Sequence, residues 1–452
     1  MSEDDLLKIA TAIVDRAGPD EAIEAFLTHQ KDFTVKVFER EVESISSAQP
    51  RGAGIRVVTA NRGGFAFTTD LSEGGLDEVV RRAQENARHS TEDPAVGLAE
   101  PPADPPTTPE GLFDEAQPSV GVETKVAFAI ELDSATRSAD ARIRQVEESL
   151  YSDSDTTVAI ATSHGISGMY RRTDAWCYSF AIATEGEDTE VGFEFELARG
   201  LSGLDAQAVA QASAERALGV LGAHKIPSER LPVVLEPRMA GQFLGVLGSA
   251  LTADSVQKGR SLFAGKVGEE VAAPGLRLID DGRISGGAAT GPWDAEGVPT
   301  GRTEVITNGR LASFLYDLKT ARREGRESTG NASRAGFKSG PAPSPSNLFF
   351  ESTGDSVEDV YRRAGRAFLV QDMHGVHSGA NPVSGDFSVG ATGKLLENGT
   401  TTRAVKEVTI AAPMLDILRN IVAVADDRRW LPFGGSYGGA TTLIAEMTVA
   451  GI

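Results

Sequence analysis

Cysteine is almost absent: Cys177 is the only one in 452 residues. A disulfide within the chain and a cysteine-rich zinc site are therefore both excluded. Basic runs are missing too. No Lys/Arg stretch is longer than pairs such as Arg322-Arg323 and Arg428-Arg429, and the formal net charge is −21. Such a surface repels a phosphate backbone on average, so nucleic acid is not an expected partner. Lysine is scarce, with arginine about three times as frequent. A salt-rich interior favours that composition, and a GC-rich genome produces the same bias. No apolar run approaches the ~20 residues of a membrane span. The start, Met1-Ser2-Glu3-Asp4-Asp5, has neither the basic opening nor the apolar core of a secretion signal. The expectation is a cytoplasmic protein with no membrane partner.

Complete catalytic motifs are also lacking. None of the six histidines (His29, His89, His164, His224, His374, His377) is followed by Glu, so no HExxH helix exists. His374 and His377 form the one close pair, with Asp372 and Asp386 nearby. A zinc needs three or four converging ligands, and a polar loop with two histidines is the plainer reading. Gly434-Gly435-Ser436-Tyr437-Gly438 fits the nucleophile-elbow pattern, but only 14 residues follow it and none is His. Ser388–Lys394 resembles a phosphate loop without its leading Gly, and Leu395 stands where a magnesium-binding hydroxyl is required.

What is present is glycine, 49 residues of it, and 40% hydrophobic residues. These suit strands and tight turns around real cores. At roughly 150 residues per domain the length suggests about three. Leu6, Ile9, Ala10 and Ile13 recur at helical spacing. Strands follow at Phe33–Phe38 and Glu41–Ile45. A hairpin is expected over Gly54–Val58 and Gly64–Thr68, turning at Asn61-Arg62-Gly63. A helix starts at Leu76 and ends near His89. Seven prolines between 91 and 118 then break regular structure and mark a boundary. Beyond it come a helix through Val122–Leu132, strands at Ile143–Tyr151, Thr156–Ser163 and Ala175–Thr184, and a helix from Asp205, its N-cap, to Leu221. A strand at Leu231–Leu235 and a helix around Met239–Leu251 open the last segment. The domains expected are 1–92, a Pro-rich linker 93–118, 119–224, and a β-rich 225–452. The fold class is α+β.

Several blocks of the last segment are specific in series. Trp293-Asp294-Ala295-Glu296-Gly297 leads through Arg302-Thr303 to Asn308-Gly309-Arg310. Leu315-Tyr316-Asp317-Leu318 runs on to Ser328-Thr329-Gly330-Asn331. Asn381-Pro382-Val383-Ser384-Gly385-Asp386 precedes Leu396-Glu397-Asn398-Gly399. In order and spacing these resemble the TldD/PmbA family, over nearly the whole chain. The resemblance implies two branches. TldD looks like a zinc peptidase with an HExxxH helix and a C-terminal Cys ligand. PmbA, or TldE, is its heterodimer partner. Counting back from Gln257–Phe263 places the His-Glu pair at Leu244-Gly245 and the second His at Ser249. No Cys follows Cys177. The chain thus resembles the PmbA (TldE) branch.

That resemblance implies a metal-free subunit of a heterodimeric metallopeptidase acting on unfolded, extended peptides. Zinc is expected in the partner, a TldD-type subunit, and no catalytic or metal residue in this chain. A homodimer is allowed when no partner is present. His374, His377, Asn381, Asp386 and Asn398 are the candidate cleft residues, with turn formation as their plainer role. Two alternatives stay open: a self-sufficient metallopeptidase using His374 and His377, and a regulatory protein-binding module, for instance of a topoisomerase.

Overall fold

The computed structural model describes residues 3–432 and 435–452. Met1 and Ser2 of the acidic start, and Gly434 of the Gly-x-Ser-x-Gly stretch, lie outside them. The architecture is α+β, as expected.

A seven-stranded antiparallel sheet unites the first two segments. Its order is Arg62–Thr68, Arg51–Thr59, Ala22–Phe38, Ile143–Thr162, Ser167–Glu185 and Asp188–Ala198, with Glu41–Ala48 paired to the far half of Ala22–Phe38. The strand expected at Phe33 begins at Ala22. The two strands expected either side of Tyr151 are one, running 20 residues. The polar stretch Ser152–Asp155 does not break it, because its charges are met by neighbours. Lys125 Nζ donates to Asp153 at 2.9 Å and Arg171 Nε donates to Asp155 at 2.7 Å. The hairpin turn sits one residue earlier than expected: Ala60 and Asn61 both have positive φ (48° and 59°) and close Thr59 against Arg62. Asp205 caps its helix as anticipated, accepting the Ala208 N–H at 3.0 Å.

Period-two alternation decides what each face meets. Ile23, Ala25, Leu27, Val35 and Val37 point to one side, under helices Glu3–Val14, Glu73–His89, Val122–Ser138 and Ala206–Leu218. Glu24, Phe26, Val158 and Ile160 point to the other, where Trp293, Ala295 and Ala332 of the last segment dock. Residues 93–118 cross between the layers with Leu98 and Leu112 buried, and Arg322 Nη2 donates to the Leu98 carbonyl at 2.7 Å.

The docked face carries a buried ionic clamp. Glu24 and Arg334 are paired, with side chains 0% and 1% exposed. Arg56 Nη1 meets Glu296 at 2.6 Å, and its Nε lies 3.6 Å from Glu24. Asp294 accepts N–H groups from Glu296, Val298 and Ala332, which folds the Trp293–Gly297 block into a tight turn. Two arginines and two glutamates thus tie the N-terminal sheet to the last segment.

That segment holds a closed ring of five strands: Glu229–Leu235, Ala367–His374, Ser388–Glu397, Thr400–Ala411 and Thr442–Ala450. A second sheet runs Arg310–Leu311, Arg302–Thr307, Leu278–Asp281, Asn347–Phe350, Ser436–Gly439 and Arg429–Leu431. The helix Pro237–Ala250 packs between the ring and this sheet. Pro237 starts it, where a missing N–H costs nothing. Gly439 lets the neighbouring strand lie flush on its first turn, since a Cβ there would collide with the Pro237 carbonyl.

Candidate functional site

The Pro237–Ala250 helix is where the sequence places a family metal site, so its faces decide what chemistry is available. Met239, Phe243, Leu244 and Leu247 are buried in the main core. Gln242, Gly245, Val246 and Ser249 form the stripe that reaches the surface. Leu244, at the first ligand position, is 1% exposed. A Cβ on Gly245 would stand 3.4 Å from the Tyr437 ring, and one on Gly248 would stand 3.0 Å from both that ring and Pro345. Ser249 Oγ donates to the Val246 carbonyl at 2.9 Å. Leucine and glycine offer no donor, and a serine hydroxyl turned onto its own helix is a poor one. Among the described residues no three His, Cys, Asp or Glu side chains converge. The helix does not fit a zinc ion.

The histidine loop is partly assembled. His374 ends its strand, largely exposed, with Nε2 3.7 Å from Asp372 Oδ2. His377 is exposed on the single turn Val376–Gly379. Asn381 and Asp386 close a loop on themselves. Asn381 Oδ1 accepts from Val383 N–H at 2.9 Å and Ser384 N–H at 3.2 Å, and Asp386 accepts from Ser384 Oγ at 2.6 Å. Asn398 does not belong with them. With Gly399 it forms a hairpin turn at positive φ (53° and 81°). Gly390 pairs with His374, and Asn398 lies eight residues further along that hairpin, about 26 Å away at strand rise.

A groove of about 540 Å³ lies at the N-terminal end of the helix. His374, Asp372 and Gln371 form one wall, Phe180, Val191 and Phe193 the other, with Arg216 and Arg238 between. Arg238 Nη2 donates to the Gln371 carbonyl at 3.0 Å and stands 3.3 Å from Asp372. Its guanidinium lies over the Phe193 ring, 5.5 Å from the centroid. Arg216 is fully engaged by Glu194 at 3.0 Å and Glu236 at 2.8 Å. Of these residues only His374 stands out in the sequence as a site candidate. Phe180 and Phe193 were legible as strand residues, but nothing in the spacing links them to Arg238.

A second cavity, about 250 Å³, lies between the layers and includes Tyr170, Trp293, Asn331 and Ser346. Behind it Asp280 is 1% exposed. Asn331 Nδ2 and Ser346 Oγ donate to its Oδ2 at 2.7 and 2.6 Å, while Oδ1 has no partner among the described residues. Burial outweighs these hydrogen bonds and pushes the carboxyl up to about 6 from an ordinary 3.8. A carboxyl raised by folding stabilises the native state below its unfolded pKa, and that contribution fades as pH rises through the folded pKa. Wild-type protein should therefore lose about 2 kcal/mol from this group between pH 4 and pH 7, at ~1.36 kcal/mol per unit, part of the shift being already lost at pH 4. Urea unfolding of wild type and Asp280→Asn across that range should show this loss as the difference between the two profiles, because the Asp294 and Glu296 carboxyls, also pushed up by burial, slope both in the same direction. Parallel pH profiles would contradict it.

Comparisons with known proteins agree with this architecture. Three family models match in order: PmbA/TldA metallopeptidase domain 1 at residues 23–87, the central domain at 115–221 and the C-terminal domain at 228–451. The chain is 28% identical over 445 residues to the metalloprotease PmbA of Escherichia coli O157:H7, covering 98% of this chain and 95% of that protein. It is 27% identical over 395 residues to a metalloprotease TldD homolog of Haemophilus influenzae, covering 83% and 79%. A Thermotoga maritima structure, described as a proposed modulator of a DNA gyrase, matches with a TM-score of 0.89 at 25% identity, covering 99% and 100%. The structure of TldE from Thermococcus kodakarensis matches with a TM-score of 0.85 at 22% identity, covering 99% of each chain, a likeness of fold.

Proposed function

Because the chain belongs to the TldD/PmbA metallopeptidase family, we propose that it is the metal-free subunit of a two-chain peptidase. Its partner, a TldD-type subunit, carries the zinc, the attacking water and the general base. This chain stabilises that subunit, walls the cleft and admits only extended, unfolded peptides. The pair works in the cytoplasm.

One observation carries the reading: the helix to which the family resemblance assigns the HExxxH motif has Leu244, Gly245 and Ser249 at those positions. Leu244 is core, Gly245 lies beside the Tyr437 ring, and Ser249 bonds its own helix. Beyond Arg238 in its first turn, the stripe of that helix that reaches the surface (Gln242, Gly245, Val246 and Ser249) is uncharged, so it can sit against a partner or a peptide without desolvating a charge.

Co-expression with a TldD-type subunit tests the proposal. A stable heterodimer that cleaves unfolded peptides is the expected product. Peptide cleavage by the purified chain alone would refute it. A stable complex with a topoisomerase, and no peptidase activity in any pairing, would favour a regulatory role instead.

A further inference from the structure

The groove beside Arg238 has a second property that its lining alone does not convey. The strand Asp188–Ala198 is an edge. Among the described residues it pairs only with Ser167–Glu185. The two strands meet in a two-residue hairpin, with Glu185 opposite Asp188. In an antiparallel hairpin of that length the closing pair is hydrogen bonded, and every second pair after it. Thr189, Val191 and Phe193 are therefore the residues whose backbone N–H and C=O groups point away from the sheet. Further along the same edge the Phe195 carbonyl accepts from Arg429 Nη2 at 3.1 Å, which confirms the parity. No hydrogen bond to the outward groups of Thr189, Val191 or Phe193 is found among the described residues. All three residues line the 540 Å³ groove.

An open sheet edge is a template for one more strand. Most edges are shielded by charge or by a covering element. Here Val191 is 51% exposed, and the groove keeps room in front of the edge. Apolar surface is ready on the same side: Phe180 and Phe193 pack at 4.6 Å between centroids, with Tyr178 5.8 Å from Phe193. Arg238 stands at the Phe193 end. Its Nη2 faces Gln371 and Asp372, and its Nε is buried without a partner among the described residues. A buried guanidinium donor left unmade is costly, and a carboxylate is the group that matches a guanidinium edge. Arg216 cannot compete for such a ligand, because Glu194 and Glu236 hold both of its ends.

We propose that this groove binds the free C-terminus of an extended peptide: the terminal carboxylate on Arg238, the last side chain on Phe180 and Phe193, and the backbone paired with Thr189, Val191 and Phe193. The added strand uses main-chain bonds, which do not depend on sequence, and the carboxylate fixes its register. Asp372 holds the guanidinium in the empty groove and is displaced toward His374 when the carboxylate arrives. The inference rests on the proposed peptide-handling role for the identity of its ligand, and adds an end preference to it.

The test is fluorescence polarisation on the full chain with one labelled decapeptide ending in Phe, made as the free acid and as the C-terminal amide. The free acid should bind about tenfold or more tightly than the amide, the scale of one charge-assisted hydrogen-bonded pair. Arg238→Gln should abolish the difference. Asp372→Asn, which removes the competing carboxylate, should tighten free-acid binding. Val191→Pro removes an outward N–H without touching the existing ladder, so it should weaken both peptides while leaving the melting curve unchanged. Equal affinity for acid and amide, or an acid preference that survives Arg238→Gln, overturns the proposal. Undiminished binding to Val191→Pro overturns the strand-pairing part. An active pair with no acid preference sinks this inference alone. Acid-selective binding by a chain that yields no peptidase with any TldD-type partner sinks the subunit reading and leaves this one standing.

Discussion

Arg334→Met should destabilise the chain by about 3–5 kcal/mol, the cost of breaking a buried ion pair from one side. Arg334 is the most enclosed cation of the clamp, with its side chain 1% exposed and its Nε donating to the Ala295 carbonyl at 3.1 Å. Its guanidinium also covers the Phe26 ring at 4.8 Å. Removing it strands Glu24, 0% exposed, with only the more distant Arg56 Nε at 3.6 Å. A carboxylate so placed must lose its charge or draw in water, and either result loosens the contact between the N-terminal sheet and the last segment. Replacing both partners should hurt much less. In Glu24→Leu/Arg334→Met no charge is left unpaired at that position, although Arg56 keeps only Glu296. Urea unfolding of wild type, both single variants and the double variant measures the coupling. A double variant as unstable as the sum of the singles would show that the residues act independently.

The second large effect concerns activity. In a heterodimer with a TldD-type subunit, disabling the partner's HExxxH motif should lower peptide cleavage by roughly a thousandfold or more, the scale seen when a catalytic unit is broken. The double substitution His374→Ala/His377→Ala in this chain should change kcat by less than about threefold, because among the described residues they belong to no cluster of three metal-ligating side chains. Its effect, if any, should fall on KM, since His374 lines the groove. Loss of kcat from the histidine variant, with the partner motif intact, would move the chemistry into this chain.

Much of this molecule could be read from its residues. Period-two and helical alternation located nearly every N-terminal element, because each has one face against a core. Asp205 could be read as a cap because a short acceptor before an alanine-rich run has few other uses. A helix is expected around Met239–Leu251 and runs Pro237–Ala250, and the family resemblance sets Leu244, Gly245 and Ser249 at the metal positions. Three features escaped. Ala22–Gln30 carries no clean alternation at its start, where Ile23–Leu27 is an almost continuous apolar run with Glu24 inside it. That run is explained only by a sheet covered on both faces, with Glu24 answered by Arg56 and Arg334 from far along the chain. The prolines between 91 and 118 were legible as a break, but the sheet that continues across it depends on the pairing of Ala22–Phe38 with Ile143–Thr162. The groove joins Phe193, Arg238 and His374, and no local pattern predicts that three distant segments meet. The same limit explains Asn398. It reads like Asn381 in sequence, a polar residue beside glycine, yet the hairpin puts it at the opposite end of the strand.

The central claim, that this chain supplies no metal site of its own, is tested most directly by counting zinc. The purified chain, and its heterodimer with a TldD-type subunit, should be dialysed against trace zinc and measured by mass spectrometry of the metal. The account predicts no stoichiometric zinc on the chain alone and one zinc per heterodimer, unchanged by His374→Ala/His377→Ala. One zinc per isolated chain, lost when those histidines are replaced, would contradict it.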